Sequence, residues 1–433
     1  MKIRILLTVI FAGVLFAVAH GQEKISQEDA VSIALKNNFD ILVAKNASDI
    51  ARINNTAGNA GMVPTVSVTA TDNYSSSNVD QTYSTGTPFL SPDVKANAFS
   101  SGAFLSWTLF DGGRMFVTKN KLNEIETLGE IQFRDQVQQT VYNVIVAYYD
   151  VVREKQQLAS IEEVIKANQT MVNILKTSFG AGLSAKTNLL QSEIDLNVYR
   201  ENAINQLAVI TAAKRNLNEL LARDPDIPVE VADSITLNYA PDREEFRKKL
   251  LSTNTSILIL QKEADIARLG MQEMRTLLFP RLTFSAGYNY LYSTSSAGNP
   301  GTNQGYGPQV GGTLTIPIFE AGNARRQIRS SQVQLQSAEY SLESMKIQVM
   351  NSLLNSLTSY DNQLQLLEIE KSNSELAKEN LSITMERLRL GQTTSVELHQ
   401  AQESYVNSLT RLTNFQYYLK VAETKLKQIM SEL

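Results

Sequence analysis

Residues 280–292 read PRLTFSAGYNYLY, and residues 309–319 read QVGGTLTIPIF. In both stretches apolar residues alternate with small or polar ones over about ten positions, which is typical of a strand with one apolar and one polar face. The alternating apolar positions are Leu282, Phe284, Ala286, Tyr288 and Tyr290, then Val310, Leu314, Ile316 and Ile318. A strand of a soluble sandwich alternates too, but the small polar residues opposite suit a water-filled lumen. We therefore predict strands at about 280–292 and 309–319.

The chain repeats the plan to which these two strands belong. Pairs that match at a step of 216 residues are Pro64 with Pro280, Tyr74 with Tyr290, and Asp49 with Asp265. Seven residues are then missing from the second loop, and pairs that match at a step of 209 are Gly182 with Gly391 and Leu189 with Leu398. A register held this far indicates a tandem duplication. We predict a first repeat at 22–221, a linker or equatorial segment at 222–241, and a second repeat at 242–433.

Each repeat follows the order helix, strand, strand, helix, helix. Pro64 and Pro280 end the first predicted helix of each repeat, because proline interrupts helical hydrogen bonding. In the first repeat we predict helices at 26–60, 113–178 and 186–221, with strands at about 64–75 and 98–110. In the second we predict helices at 242–278, 322–388 and 395–431, with strands at about 280–292 and 309–319.

The long helices do not belong to a membrane layer. At about 1.5 Å per residue, the helix predicted at 113–178 would reach on the order of 100 Å, whereas a bilayer core is about 30 Å thick. Its apolar positions recur at three, four or seven residues and form a coiled-coil-like seam. These positions include Val137, Val141, Val144, Tyr148, Val151 and Leu158. We therefore expect this helix to project across a periplasm.

The first twenty-one residues are predicted to be a secretory signal peptide. Lys2 and Arg4 precede an apolar run from Ile5 to Val18, and small residues follow. A membrane anchor is the alternative, but this run is shorter than the roughly 20 residues that a spanning helix needs. Cleavage after residue 21 would place the mature protein beyond the inner membrane.

Composition excludes several classes of site. The chain has no cysteine, and His399 is the only histidine outside the predicted signal peptide, so neither a cysteine nucleophile nor a histidine cluster is available. Removal of Lys2 and Arg4 leaves 38 basic against 44 acidic residues, a net charge of −6, which argues against a nucleic-acid partner. We predict no enzyme active site, no metal and no cofactor.

Four strands per chain are too few to close a barrel in lipid. The smallest membrane barrels have about 8 strands, and open strand edges are not tolerated in the bilayer. Several chains must therefore pool their strands if these strands span a membrane. Two chains would give eight strands and three would give twelve, and the strand count alone does not choose between them.

Several motifs resemble those of TolC-like outer-membrane efflux proteins, and they occur in order and twice. The motifs are Leu109-Phe110-Asp111-Gly112-Gly113-Arg114, Pro317-Ile318-Phe319-Glu320-Ala321-Gly322, and the helix reversals at 182–187 and 388–394. This resemblance covers essentially the whole mature chain. It implies an α+β membrane protein with a trimeric 12-stranded β-barrel, continued by a long α-helical periplasmic barrel.

The resemblance also implies site residues, each at a matching position. For the periplasmic aperture they are Thr187, Asn188, Leu388, Thr393, Glu397 and Gln400. The family's latch tyrosine and arginine fall on Leu388 and Thr393, and its second acidic position falls on Gln400, so much of the usual polar latch is missing here. Symmetry-related Glu397 carboxylates that converge on a narrow axis would repel one another and attract cations. A solvated helix carboxylate is the alternative role for Glu397.

Two further groups of residues complete the expected sites. The tip residues Gly182, Leu183, Gly391 and Gln392 are turn formers first, and adaptor docking is a role that the resemblance implies. Trp107, Tyr288, Tyr290 and Tyr292 are candidate anchors at the lipid interface, where amphipathic rings are enriched. Packing between protomers is the alternative role for these aromatic side chains.

The predicted function is a passive exit duct of a tripartite efflux or secretion system in the outer membrane of a Gram-negative bacterium. The resemblance implies three kinds of partner: two further copies of the chain, a periplasmic adaptor protein with its inner-membrane transporter, and outer-membrane lipid. A structural coiled-coil envelope scaffold anchored by the strands is the alternative. The exported cargo is not readable from the sequence.

Overall fold

The computed structural model describes residues 23–297 and 301–433, so the predicted signal peptide at 1–21 lies outside the described residues. In chain order the elements are β1 Glu23–Lys24, α1 Gln27–Asn37, α2 Phe39–Asn54, β2 Thr65–Thr82, β3 Pro88–Asp111, α3 Arg114–Gly180, α4 Lys186–Leu220, β4 Val229–Glu230, α5 Arg243–Thr253, α6 Thr255–Arg275, β5 Arg281–Ser295, β6 Thr302–Thr315, α7 Asn323–Arg389 and α8 Ser395–Ile429. A short 3₁₀ turn, Thr276–Leu278, follows α6. The described chain forms two compact units.

The helical unit comprises residues 23–46, 132–258 and 345–433. Its largest buried cluster surrounds Tyr148 and includes Val144, Val151 and Leu217. The Tyr148 hydroxyl donates to the Ile25 carbonyl oxygen and accepts from the Ala232 backbone N–H, both at 3.0 Å. The segments around β1 and β4 pair in parallel. The two bonds hold these segments against the apolar seam of α3, which the spacing of its apolar residues predicts.

Each helix predicted ahead of the strands is in fact two helices. The predictions of single helices at 26–60 and 242–278 were wrong, because extended backbone at Asn38 and Asn254 breaks each of them. Asn38 is at the end of α1, and its side-chain oxygen accepts from the backbone N–H groups of Asp40 and Ile41 at the start of α2. Each asparagine therefore ends one helix and caps the next.

The sheet unit comprises residues 47–131 and 259–344. Its four strands are antiparallel in the order β2-β3-β5-β6, so the two repeats meet at the β3–β5 pair. The strands differ in length from the predicted 64–75, 98–110, 280–292 and 309–319: β2 runs on to Thr82, β3 starts at Pro88, β5 runs on to Ser295, and β6 spans Thr302–Thr315. The hydrogen-bonded pairing of the strands continues beyond the residues in which apolar and polar side chains alternate, because backbone pairing needs no apolar side chains. Pro317 lacks the N–H that would extend β6.

The register brings the apolar faces of all four strands together. Val68 lies opposite Ala103, Ala103 opposite Tyr288, and Tyr288 opposite Pro308. A one-residue slip of any strand would move its apolar side chains to the other face. The sheet therefore has the one apolar and one polar face that its sequence predicts.

Phe104 is the exception on the polar face, and the structure gives the reason. Its ring lies against Gly102 and Gly287, where an added Cβ atom would come within 2.8 Å and 2.7 Å of ring carbons. The two glycines make room for this ring on neighbouring strands. The aromatic side chain thus fills a surface that the missing glycine side chains leave open.

Within residues 23–297 and 301–433, none of the helices combines the length and apolar character required to cross a membrane.

Candidate functional site

The two helix reversals use the same hydrogen-bonded turn. At the first, the Gly182 N–H donates to the Phe179 carbonyl oxygen and the Leu183 N–H donates to that of Ser178. At the second, Gly391 and Gln392 donate to Leu388 and Arg387 in the same pattern. Both glycines have positive φ, +75° and +70°, which closes a Schellman-type helix end. The tips are therefore rigid turns, and Leu183 at the first tip is 84% exposed.

Some of the predicted aperture residues lie together beside these tips. The Ser395 hydroxyl donates to the Asn188 side-chain oxygen at 3.3 Å, which joins the first turns of α4 and α8. The Thr393 hydroxyl donates to the Glu397 carboxylate, and the Glu397 backbone N–H donates to the Thr394 hydroxyl at 3.2 Å. Glu397 thus has local partners at the start of α8, where a carboxylate also suits the helix dipole.

The other aperture candidates occupy different settings. Leu388 packs on the buried cluster formed by Met171, Leu381 and Leu398, so it serves the packing of the helices near the tips. Thr187 and Gln400 are exposed. The structure therefore joins Asn188 to Ser395 and Thr393 to Glu397 by hydrogen bonds, whereas Leu388 makes apolar contacts.

Sequence reasoning missed a side-chain contact between α4 and α8, in which a histidine lies beside a carboxylate. His399 Nδ1 lies 3.5 Å from an Asp195 carboxylate oxygen, and its Nε2 lies 3.4 Å from a Glu403 carboxylate oxygen. The side chain of Asp195 is only 10% exposed. The spacing of His399 and Glu403 on one helix signals their contact, but nothing local predicts Asp195. No group of three or more His, Asp or Glu side chains in the described ranges is placed to hold a metal ion.

The candidate membrane anchors lie on one face of the sheet but at different positions along the strands. Trp107 of β3 pairs with Phe284, and its indole N–H donates to the Met62 carbonyl oxygen at 3.0 Å. Tyr288, Tyr290 and Tyr292 follow at alternate positions along β5. Trp107 and Tyr288 are 38% and 53% exposed, so both leave apolar surface uncovered.

The sheet has two unpaired edges. Among the described strands, β2 has no neighbour beyond β3, and β6 has none beyond β5. Both are long, at 18 and 14 residues, and their residues are almost all exposed. Long unprotected edges of this kind are templates for pairing with another strand.

Comparison with known proteins agrees with this geometry. The model of the family described as "Outer membrane efflux protein" matches residues 30–223 and 247–432, which correspond to the two repeats. The alkaline protease secretion protein AprF of Pseudomonas aeruginosa is 23% identical over 76% of this chain and 69% of its own length. The outer membrane efflux protein BepC of Brucella suis is 25% identical over 54% of this chain and 50% of its own length.

Solved structures share the fold along nearly the whole chain. The outer membrane protein VceC of Vibrio cholerae superposes with a TM-score of 0.77 at 17% identity, covering 94% of this chain and 96% of that one. The CmeC outer membrane channel of Campylobacter jejuni gives 0.78 at 16% identity, covering 96% and 90%. The predicted fold class, the outer-membrane location and the function as an efflux or secretion channel are confirmed, in preference to a scaffold. This chain belongs to the outer membrane efflux protein family.

Proposed function

We propose that three copies of the chain form one passive exit duct through the outer membrane, fed by a periplasmic adaptor protein and an inner-membrane transporter. The observation that carries this proposal is the pair of open edges on β2 and β6. In lipid these edges must be paired, and β2 of one copy is free to pair with β6 of the next. Three copies give the twelve strands that the family resemblance implies.

The helical unit has matching open faces. Exposed apolar residues recur every seven positions along α7, at Ile369, Leu376 and Ile383, and Leu390 continues this spacing just beyond the end of the helix. On α4 they recur every four, at Leu190, Ile194 and Val198. Such regular stripes on helices are typical of seams that pack against another helix. We propose that α4 of one copy packs on α7 of its neighbour.

A purely conducting role suits the chemistry of the chain. The polar face of the sheet carries small side chains such as Thr283 and Ser285, which can line water without forming a specific pocket. Selectivity for cargo would then belong to the transporter. Trp107 and the β5 tyrosines would meet outer-membrane lipid, and the tips around Gly182 and Gly391 would meet the adaptor.

The assembly is tested by light scattering and native mass spectrometry of the detergent-purified protein. We expect three times the protomer mass. Ile383→Glu places a charge on the α7 stripe and should shift the population to smaller species, whereas Ser382→Glu on the neighbouring exposed position should leave the trimer intact. If the unaltered protein is a stable monomer, the proposal of a three-copy exit duct is contradicted.

The adaptor contact is tested at the exposed tip. Leu183→Asp should reduce capture of the periplasmic adaptor from cells without changing the trimer mass. The matched control is Val43→Asp, a change at an equally apolar exposed residue remote in sequence from the tips. Equal capture by the Leu183→Asp variant and the unaltered protein would remove the tips from the adaptor interface.

A further inference from the structure

A small cavity lies in the sheet unit where β6 gives way to α7. It measures about 230 Å³, and its apolar walls are Leu277, Leu278, Ile318 and Phe319. Glu320 and Arg325 supply the charged part of its lining. The cavity therefore has an apolar side and a polar side, as a site for an amphiphilic molecule requires.

Most of the apolar residues that form the walls of this cavity are largely exposed to solvent. Ile318 and Phe319 are 93% and 86% exposed, and Leu278 beside them is 54% exposed. Adjacent side chains with this exposure form a contiguous apolar patch rather than a scattered surface. A patch next to the end of a membrane strand is well placed to contact an acyl chain.

Three arginines stand beside this patch without carboxylate partners. Arg325 and Arg329 are exposed, and their side chains form no hydrogen bond or ion pair within residues 23–297 and 301–433. The Arg326 side chain donates only to the Asn323 side chain at 3.2 Å. Positive charge in the first turns of a helix opposes the helix dipole, so these side chains do not stabilise α7. Glu320 offsets one charge, and the local surplus of positive charge favours an anion.

The first repeat has basic residues near the start of α3, but not at the positions of these arginines and not without partners. The positions that correspond to Arg325, Arg326 and Arg329, at a step of 209 residues, are Phe116, Val117 and Asn120. Its basic residues there are Arg114, Lys119 and Lys121. Arg114 and Lys121 pair with Glu273 at 3.2 Å and 3.0 Å, and Lys119 donates to the Asn55 carbonyl oxygen at 3.1 Å. Unpaired arginines at these positions are therefore not required to start the long helix that follows each pair of strands.

We propose that this cavity binds an anionic phospholipid, with an acyl chain against Ile318 and Phe319 and the phosphate between Arg325 and Arg329. The inference rests on the proposed function in one respect, because it places the end of β6 at the periplasmic leaflet of the outer membrane. Guanidinium groups pair with phosphate oxygens in a planar, two-bond geometry. The site would hold lipid at the junction between sheet and helix.

The test uses the full-length protein, first shown by light scattering to be a trimer. Native mass spectrometry then counts bound lipid after titration with phosphatidylglycerol, with phosphatidylcholine as the zwitterionic comparison. We expect retention of phosphatidylglycerol, and about a tenfold or greater loss of affinity in the Arg325→Gln/Arg329→Gln double variant. The control is Arg387→Gln/Arg389→Gln, which removes the same charge from the other end of α7.

The alternatives give different results. Phe319→Ser keeps all the charges and should also weaken phosphatidylglycerol binding, which a site for free anions would not show. Competition by inorganic phosphate alone would overturn the lipid site in favour of an anion site. The arginine double variant could also dissociate into monomers and still bind phosphatidylglycerol as tightly as the unaltered protein does. That result would show that the arginines contact the neighbouring copy and not lipid, and it would overturn the proposal. If the protein is a trimer but binds phosphatidylglycerol no better than phosphatidylcholine, the lipid site alone is contradicted. If the protein is a monomer, the proposed exit duct is contradicted.

Discussion

Asn38 and Asn254 occupy equivalent positions in the two repeats and form the same pair of bonds. The Asn38 side-chain amide donates to the Leu220 carbonyl oxygen at 2.9 Å, and that of Asn254 donates to the Ile429 carbonyl oxygen at 2.8 Å. Each side-chain oxygen accepts from the first turn of the following helix. Each asparagine therefore fastens the break in the first helical segment of its repeat to the end of the last helix.

Replacement of Asn254 by alanine should loosen this connection. Asn254 is 6% exposed, so the change leaves the Ile429 carbonyl oxygen and the Ile257 N–H unsatisfied in a buried place, at a cost of about 1–3 kcal/mol. Hydrogen exchange should show faster local opening at the end of α8 and the start of α6. Asn46→Ala, at an exposed helix position, is the control. Equal exchange in the two variants would contradict the role of Asn254.

The sequence predicted the duplication but not the function of these asparagines. Asn38 and Asn254 lie in the matched segments, yet the predicted helices run through both, because asparagine is only mildly unfavourable inside a helix. The deciding bonds reach 182 and 175 residues along the chain. No local pattern contains that information.

The same distinction holds for the site. Alternation predicted the faces of the strands, and Gly182 and Gly391 predicted the tips, because each of these signals is local. The contact between Asp195 and His399 joins two helices, and its geometry depends on how they pack. The ends of the strands were also missed, since β2 continues through Ser75–Ser77, where no apolar residue marks the face.

Gly112 and Gly113 allow steric crowding to be separated from backbone strain. Both have positive φ, +72° and +85°, so alanine at either should cost about 1–2 kcal/mol in strain. A Cβ atom on Gly112 would also lie 2.6 Å from Phe279 Cβ and 2.9 Å from the Thr276 carbonyl oxygen, whereas one on Gly113 meets nothing within 4 Å. We expect Gly112→Ala to lower thermal stability clearly more than Gly113→Ala. Similar melting temperatures would show that the crowding is relieved at little cost.

Glu273 is a buried carboxylate that joins α6 to α3 within the sheet unit. It accepts from Lys121 Nζ at 3.0 Å, Thr118 Oγ1 at 3.1 Å and Arg114 Nε at 3.2 Å. Burial alone would raise the pKa of Glu273, but the hydrogen bonds and charges of Lys121 and Arg114 outweigh it and hold this pKa below its usual range. The ionised form is therefore favoured by folding.

Glu273→Gln should destabilise the protein near neutral pH, because two cations lose their partner. Arg114 and Lys121 are partly exposed, so we expect about 1–3 kcal/mol rather than the larger cost of breaking a fully buried pair. A carboxylate with a lowered pKa contributes stability above its unfolded-state pKa and loses it as pH falls through its folded-state pKa. The difference between the two proteins should therefore shrink in acid. Glu368→Gln, which breaks an exposed pair with Lys371, should change little at any pH.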